Sequence, residues 1–293
     1  MKAAEFDYAR PATVEEVCRL LDSAAGDGKI IAGGQTLVPL MVMRLARPSL
    51  VIDINRIASL QGVAANDDGV AIKAATRQAD VLADAGVQRR LPLLAKGLRL
   101  VGHPQTRNRG TIGGSLANAD PAAEICLVAR TLDAEIAARS SKTTRRIAMR
   151  AFCAGAMTTV LEPEECLTEV RFPLWRDAGR IGTGFTEMSV RHSDFALVAA
   201  ACQLVLDKDG VCSRVALGVG GAEASPVRAA AAEKRLTGTR LDAGDIEKAM
   251  DELQAALSPL SDVHASADYR RRVAGALAAR AIAEACDEAR TAA

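Results

Sequence analysis

The first half of the chain alternates short apolar runs with amphipathic stretches of helical period. Thr13 and Glu16 stand at capping-box spacing and open a helix whose apolar face is Val17, Leu20 and Leu21. Gly26 to Gly28 end it, and Lys29-Ile30-Ile31-Ala32 reads as a strand running into Gly33-Gly34. A helix through Leu37, Leu40 and Met41 follows, and Pro48 breaks it ahead of the strand Leu50-Val51-Ile52-Asp53. A strand over 70–74 precedes a helix over 78–85, for which Thr76 is the expected N-cap. Another helix begins after Pro92 and ends near Gly102, and a glycine-rich segment runs from Arg109 to Gly114.

From Leu132 onward the pattern turns to strands, expected at 132–138, 144–147 and 165–172. Pro173-Leu174-Trp175, with Gly179 and Gly182, reads as a linker that divides a domain over 1–175 from one over 176–293. In the second domain, strands over 182–189, 196–206 and 211–219 come first. Helices then start near Pro226, Asp242 and Ser266. The last carries Arg270-Arg271-Arg272, read as a solvated helix face. Strands segregated from helices make this a two-domain α+β layout, with a three-stranded sheet plus helices in the smaller domain.

Composition narrows the function. With 37 basic and 36 acidic residues the net charge is +1, without the basic excess of a nucleic-acid partner. Aromatic residues are 3% of the chain, too few for stacking platforms. The longest apolar run, residues 195–206, is too short for a bilayer, and the opening MKAAEFDYARP lacks a signal-peptide pattern, so the expected location is the cytoplasm. Seven cysteines, none spaced C-x-x-C, and the histidines His103, His192 and His264 assemble no local metal motif; the cysteines read as buried free thiols.

Two glycine-bearing turns carry the candidate chemistry. Ala32-Gly33-Gly34-Gln35-Thr36 follows an expected strand, and Thr111-Ile112-Gly113-Gly114-Ser115 is read as a second strand-to-helix turn of the same kind. Paired glycines can take positive φ and let an anion reach backbone N–H groups. Two such turns facing each other could hold both phosphates of a dinucleotide, although each alone is also an ordinary tight turn. Neither fits G-x-G-x-x-G or the P-loop pattern. A third cluster, Gly218-Val219-Gly220-Gly221, reads as a structural turn.

The stretches "AGGQTLVPLMVMRLARPSLVIDI" and "GHPQTRNRGTIGGSLANADPAAE", then "GFTEMSVRHSDFALVAAAC" and "RVALGVGGAEASPVRAAAAE", resemble the FAD-binding medium subunit of molybdenum hydroxylases over nearly the whole chain. These are enzymes of the xanthine dehydrogenase and aerobic carbon monoxide dehydrogenase type. The resemblance implies an FAD-binding domain of the vanillyl-alcohol-oxidase (PCMH) type, with subdomains at about 1–56 and 57–175, and a smaller C-terminal domain. It puts one phosphate loop on Ala32, Gly33, Gly34, Gln35 and Thr36 and the other on Thr111, Ile112, Gly113, Gly114 and Ser115. It further implies isoalloxazine contacts at Val101 and Leu167 and an acidic contact at Glu124, with Asp120 close by. FAD would be noncovalent, with molybdopterin on a large partner subunit and [2Fe–2S] clusters on a small one, in a dimer of heterotrimers. This chain would pass electrons from the clusters to an external acceptor.

One position departs from the family. Many members carry lysine where alignment through Arg191, Asp194 and Phe195 puts Glu187, which would oppose an anionic reduced flavin or else point to solvent. The electron acceptor is thereby left open, as is the hydroxylated substrate. Two other functions remain compatible with these residues: a self-sufficient flavoprotein oxidoreductase on the same fold, and a non-enzymatic nucleotide-binding assembly module. His103 is read as structural, and His192 with Asp194 forms no catalytic pair without a third member.

Overall fold

The computed structural model describes residues 2–177, 179–191 and 193–291. The chain begins with β1 (Asp7–Ala9), α1 (Val14–Ser23), β2 (Gly28–Ile31), α2 (Leu37–Val42) and β3 (Leu50–Asp53). The strands form a parallel sheet in the order β1-β3-β2. Thr13 caps α1 by accepting from the Glu16 N–H at 3.2 Å, while Glu16 Oε2 reaches back to the N–H of Ala12 at 2.7 Å. β1 has no apolar alternation to announce it. It is an exposed edge, and Tyr8 anchors it by donating to the Asp53 carboxylate on β3. The core here joins Val17, Cys18 and Leu21 to Ile52, Ile57 and Leu60.

The next unit contains β4 (Val63–Ala65), β5 (Gly69–Lys73), α3 (Gln78–Ala83), α4 (Ala85–Arg90), α5 (Pro92–Leu100), α6 (Pro104–Arg109), α7 (Ile112–Asn118) and α8 (Glu124–Thr131). It continues with β6 (Glu135–Arg139), β7 (Thr144–Ala148), α9 (Met149–Phe152), the hairpin β8 (Cys153–Gly155) and β9 (Thr158–Thr159), and β10 (Cys166–Pro173). The antiparallel sheet runs β4-β5-β10-β6-β7 and buries Val170 and Phe172 of its central strand under Leu94 and Leu98 of α5 and Leu127 of α8. The helix expected over 78–85 is two helices. Asp84 takes an extended backbone between them and caps α4 by accepting from the Val87 N–H at 2.8 Å. Thr76 does not cap α3. Its hydroxyl bonds both the N–H and the C=O of Gly62, at 3.0 and 3.1 Å, stapling β5 to the preceding turn.

The last unit is β11 (Arg180–Ser189), β12 (Ala196–Leu206), β13 (Cys212–Gly220), β14 (Val227–Arg228), α10 (Ala230–Leu236), α11 (Ala243–Ala256) and α12 (Ala267–Thr291). Three long antiparallel strands carry a two-residue edge strand where Pro226 was expected to open a helix. α12 lies directly on β11, because Gly182 and Gly184 leave room for the backbone carbonyls of Ala285 and Ala281. Thr186 of that same face donates to the Leu277 carbonyl at 2.9 Å. Phe185, on the opposite face, enters the core of the preceding unit and packs on Gly97.

The seam between these two units is pinned by polar contacts. Lys96 of α5 donates to the Thr183 carbonyl and to Glu288 of α12, both at 2.6 Å. Arg228 donates to the Thr131 carbonyl and to Asp133, both at 2.9 Å. Gly218 admits Thr131 of α8 against β13, so the third glycine cluster is structural. The Arg270 side chain is not solvated as expected. It is 7% exposed and donates to the carbonyls of Leu197 and Gly221 and to Asp262, at 2.6 to 2.8 Å. These carbonyls, at the start of β12 and just after β13, need a donor that helix patterning does not reveal. Six of the seven free cysteines are buried, and Cys153 is half-buried.

Candidate functional site

Ala32 leaves β2 and leads through Gly33, Gly34, Gln35 and Thr36 into α2. Gly34 has φ +71°, the left-handed conformation that glycine takes without strain. Among the described residues, the N–H groups of Gly33, Gly34, Gln35 and Thr36 donate to no protein acceptor. The carbonyls of Gly34 and Thr36 are meanwhile engaged, by Val38 and Leu40 at 3.1 and 3.2 Å. A run of successive amides without acceptors, bent at a left-handed residue, suits an anionic oxygen.

The second segment is built differently. Helix α6 precedes it, so it is not a strand-to-helix turn, and neither Gly113 nor Gly114 has positive φ. Thr111 is the N-cap of α7, with its Oγ1 accepting from the Gly114 N–H at 3.0 Å. Ile112 donates to the Thr76 carbonyl at 3.1 Å, Gly113 to Ala74 at 2.9 Å and Ser115 to Thr111 at 3.1 Å. The amides from Ile112 to Ser115 are therefore already spent on the protein. Thr111 and Ile112 are buried, and Gly113 is glycine because a side chain there would strike Ala74. Gly114 is exposed, and a methyl group on it would meet only Thr111 Oγ1, at 2.7 Å. With Ser115, Ala117 and Asn118 it makes a low surface of small side chains.

The two segments touch. Gly33 lies on the carbonyl of Arg109 and the Cα of Gly110, with no space between for a side chain. Asn55 and Arg77 brace this contact. The Asn55 amide donates to the Ala32 carbonyl at 2.7 Å and its Oδ1 accepts from Arg77 Nη2 at 2.7 Å, while Arg77 Nη1 donates to the Arg109 carbonyl. Partial burial and the charge of Arg109 lower the Arg77 pKa. Buried Gln78 directs Oε1 at Gly110 with no hydrogen-bond partner among the described residues. Sequence reading singled out none of these three, because none lies in a motif and their roles arise from elements distant along the chain. The amides of the first segment, beside a small-residue floor, fit the diphosphate of a dinucleotide.

Carboxylates gather beyond α7. Asp120 Oδ1 accepts from the Ala122 N–H at 2.9 Å, and Glu124, the first residue of α8, is 9% exposed. Glu187 shares the face of β11 that carries Phe185, by the two-residue period of a strand, and so looks toward α8. Its Oε2 is enclosed with no hydrogen-bond partner among the described residues, while the residue as a whole is half-buried. Burial pushes Glu187 up to about 7. Burial does the same to Glu124, with the nearby charges of Glu187 and Asp120 adding to it, also to about 7.

Val101 ends α5 half-buried, and its carbonyl accepts from Arg107 at 2.9 Å. Leu167 is 5% exposed on β10, and its neighbour Thr168 accepts at 3.0 Å from Ala74, on which Gly113 rests. His103 is exposed at the start of α6; His192 lies outside the described residues.

A parallel three-stranded unit and a mixed unit meet at a glycine-lined contact whose free amides suit the diphosphate of a dinucleotide. Residues 4–175 match the FAD binding domain in molybdopterin dehydrogenase and residues 183–285 the CO dehydrogenase flavoprotein C-terminal domain. The chain belongs to that molybdopterin dehydrogenase flavoprotein family. It is 39% identical to the 6-hydroxypseudooxynicotine dehydrogenase complex subunit alpha of Paenarthrobacter nicotinovorans, over 99% of this chain and 97% of that one. It is 37% identical to the nicotine 6-hydroxylase medium subunit of the same organism, over 97% and 99%. The solved carbon monoxide dehydrogenase of Hydrogenophaga pseudoflava superposes with a TM-score of 0.94 at 32% identity, covering 99% of this chain and all of that one.

Proposed function

We propose that this chain is the medium subunit of a heteromeric molybdenum hydroxylase, receiving electrons from [2Fe–2S] clusters on a small subunit and passing them to an external acceptor. A large subunit would carry the molybdopterin centre, and two heterotrimers would pair. In this reading 1–175 is the FAD-binding domain, with subdomains at about 1–56 and 57–175, and 176–293 is the C-terminal domain of the molybdenum-hydroxylase flavoprotein type. The observation that carries the reading is the run of acceptor-free amides from Gly33 to Thr36 held against Arg109 and Gly110, in a chain similar over its length to medium subunits.

Bound FAD would supply the redox chemistry, accepting electrons one at a time and releasing them singly or in pairs. The chain's own residues position it. The amides of Gly33, Gly34, Gln35 and Thr36 bind the diphosphate, and Asn55 and Arg77 keep that loop seated on the second segment. Gly114 and Ser115 give a surface low enough for close approach, Val101 and Leu167 take the ring contacts, and Asp120 and Glu124 form the acidic side. Titrating the apo-chain with FAD should give a stoichiometric yellow complex and a higher melting temperature, since a ligand at about 100 times its Kd adds about 2.7 kcal/mol. Tagged chain from its native host should bring down molybdenum and iron in fixed ratio. Failure to bind FAD refutes the cofactor site, and turnover of an organic substrate by the isolated chain refutes the subunit role.

A further inference from the structure

A cleft of about 410 Å³ opens between the turn at Asp120, the β11–β12 connection and the segment before α12. Its volume suits a small ring system. Val190, Phe195 and Leu260 expose 69%, 74% and 66% of their surface around it, an unusual grouping of large apolar side chains in water. It shares Asp120 with the candidate FAD site, and the charges of Asp120 and Glu187 both act on Glu124.

The charges on its walls are lopsided. Asp120, Asp194, Glu223 and Asp262 line it against one guanidinium, that of Arg270. Arg270 spends three of its five N–H donors on two carbonyls and Asp262, and the Asp262 carboxylate offsets its charge. Asp194 pairs with Arg191 at 3.0 Å, but Arg191 is 82% exposed and its charge is screened by water. Glu223 accepts only the Ser258 N–H, at 2.8 Å, among the described residues. Such walls place a negative potential over an apolar floor, and that potential acts on whatever charge approaches.

We infer that this cleft receives the electron acceptor and selects planar organic acceptors without negative charge, with Asp120, Asp194 and Glu223 turning away anionic ones, dinucleotides included. The inference rests on the flavin-subunit reading. A quinone-type acceptor held there takes up two electrons and two protons and leaves as the hydroquinone, the reduced flavin losing the same two electrons and two protons.

The test measures equilibrium binding of 2-methyl-1,4-naphthoquinone, its 3-sulfonate and NAD⁺ to the FAD-loaded chain, by ligand-observed NMR at low and high salt. At low ionic strength the neutral quinone should bind about tenfold more tightly than the sulfonate. That gap should narrow in high salt and in the double variant D194N/E223Q. After photoreduction, flavin reoxidation by the sulfonate should accelerate with added salt, whereas that by a cationic phenazinium should slow. Sulfonate or NAD⁺ binding as tight as the neutral quinone, or salt effects of opposite sign, overturns the inference. The wild-type comparison stands even if the double variant fails to fold. A chain that takes up no FAD overturns the underlying reading instead, so the two failures are distinguishable.

Discussion

Gly33→Ala tests how the two segments form one site. An added methyl on Gly33 would sit 2.8 Å from the Arg109 carbonyl carbon and 2.8 Å from the Gly110 Cα, where ordinary contact starts at 3.4 Å. One backbone must therefore retreat by about 0.6 Å or more, taking with it the carbonyl that accepts from Arg77. Overpacking of this kind costs about 1–3 kcal/mol. The opposing gain is smaller: replacing glycine by alanine where φ is not positive stabilises by about 0.4–1 kcal/mol through the unfolded chain. The clash wins. If it falls on the FAD-competent geometry, the FAD Kd rises by about 5- to 150-fold. If it falls on the fold, the melting temperature drops by about 2–4 °C per kcal/mol. Gly155→Ala, where a methyl group meets nothing within 4 Å, is the control and should change neither. The assay is FAD titration of the apo-protein by calorimetry with a parallel thermal melt. A Gly33→Ala protein with wild-type affinity and wild-type melting would show that the segments do not meet as described.

Arg77→Ala removes the donor to Arg109 and to Asn55 and leaves the Asn55 oxygen half-buried without it, a loss of about 1.5–3 kcal/mol for bonds to a charged group; FAD affinity should fall about tenfold or more, and calorimetry showing no change would remove Arg77 from the brace. Glu124 and Glu187 are both raised from 4.5 to about 7, so the folded protein binds more protons than the unfolded chain between those values. Their stabilising contribution is complete below the unfolded pKa and is lost as pH rises through the folded one, so the apo-protein should melt lower at about pH 8 than at about pH 5, and Glu187→Gln should flatten that slope. A slope unchanged in the variant, measured by scanning calorimetry, would show that Glu187 is not the titrating group.

Much of this protein follows from local pattern. β3 and β12 fall where alternating or continuous apolar runs place them, and α1 starts at the Thr13 cap, because period and capping are properties of neighbouring residues. The resemblance in the glycine motifs pointed to the FAD family before any contact was known. The tertiary structure alone decided how those glycines work. Gly33 is small for the sake of Arg109, Gly113 for Ala74, and Gly182 and Gly184 for α12, while only Gly34 of the four motif glycines uses positive φ. The similar-looking segment at Thr111 spends its amides on a capped helix, because Ala74 and Thr76 bring it carbonyls from the turn after β5. Asn55, Arg77 and buried Arg270 are ordinary polar residues in sequence, and they acquire roles only when distant carbonyls arrive beside them. Glu187 is the same case: its strand gives the alternation, but the packing of β11 between α5 and α12 decides which face is enclosed, and its charge is felt at Glu124.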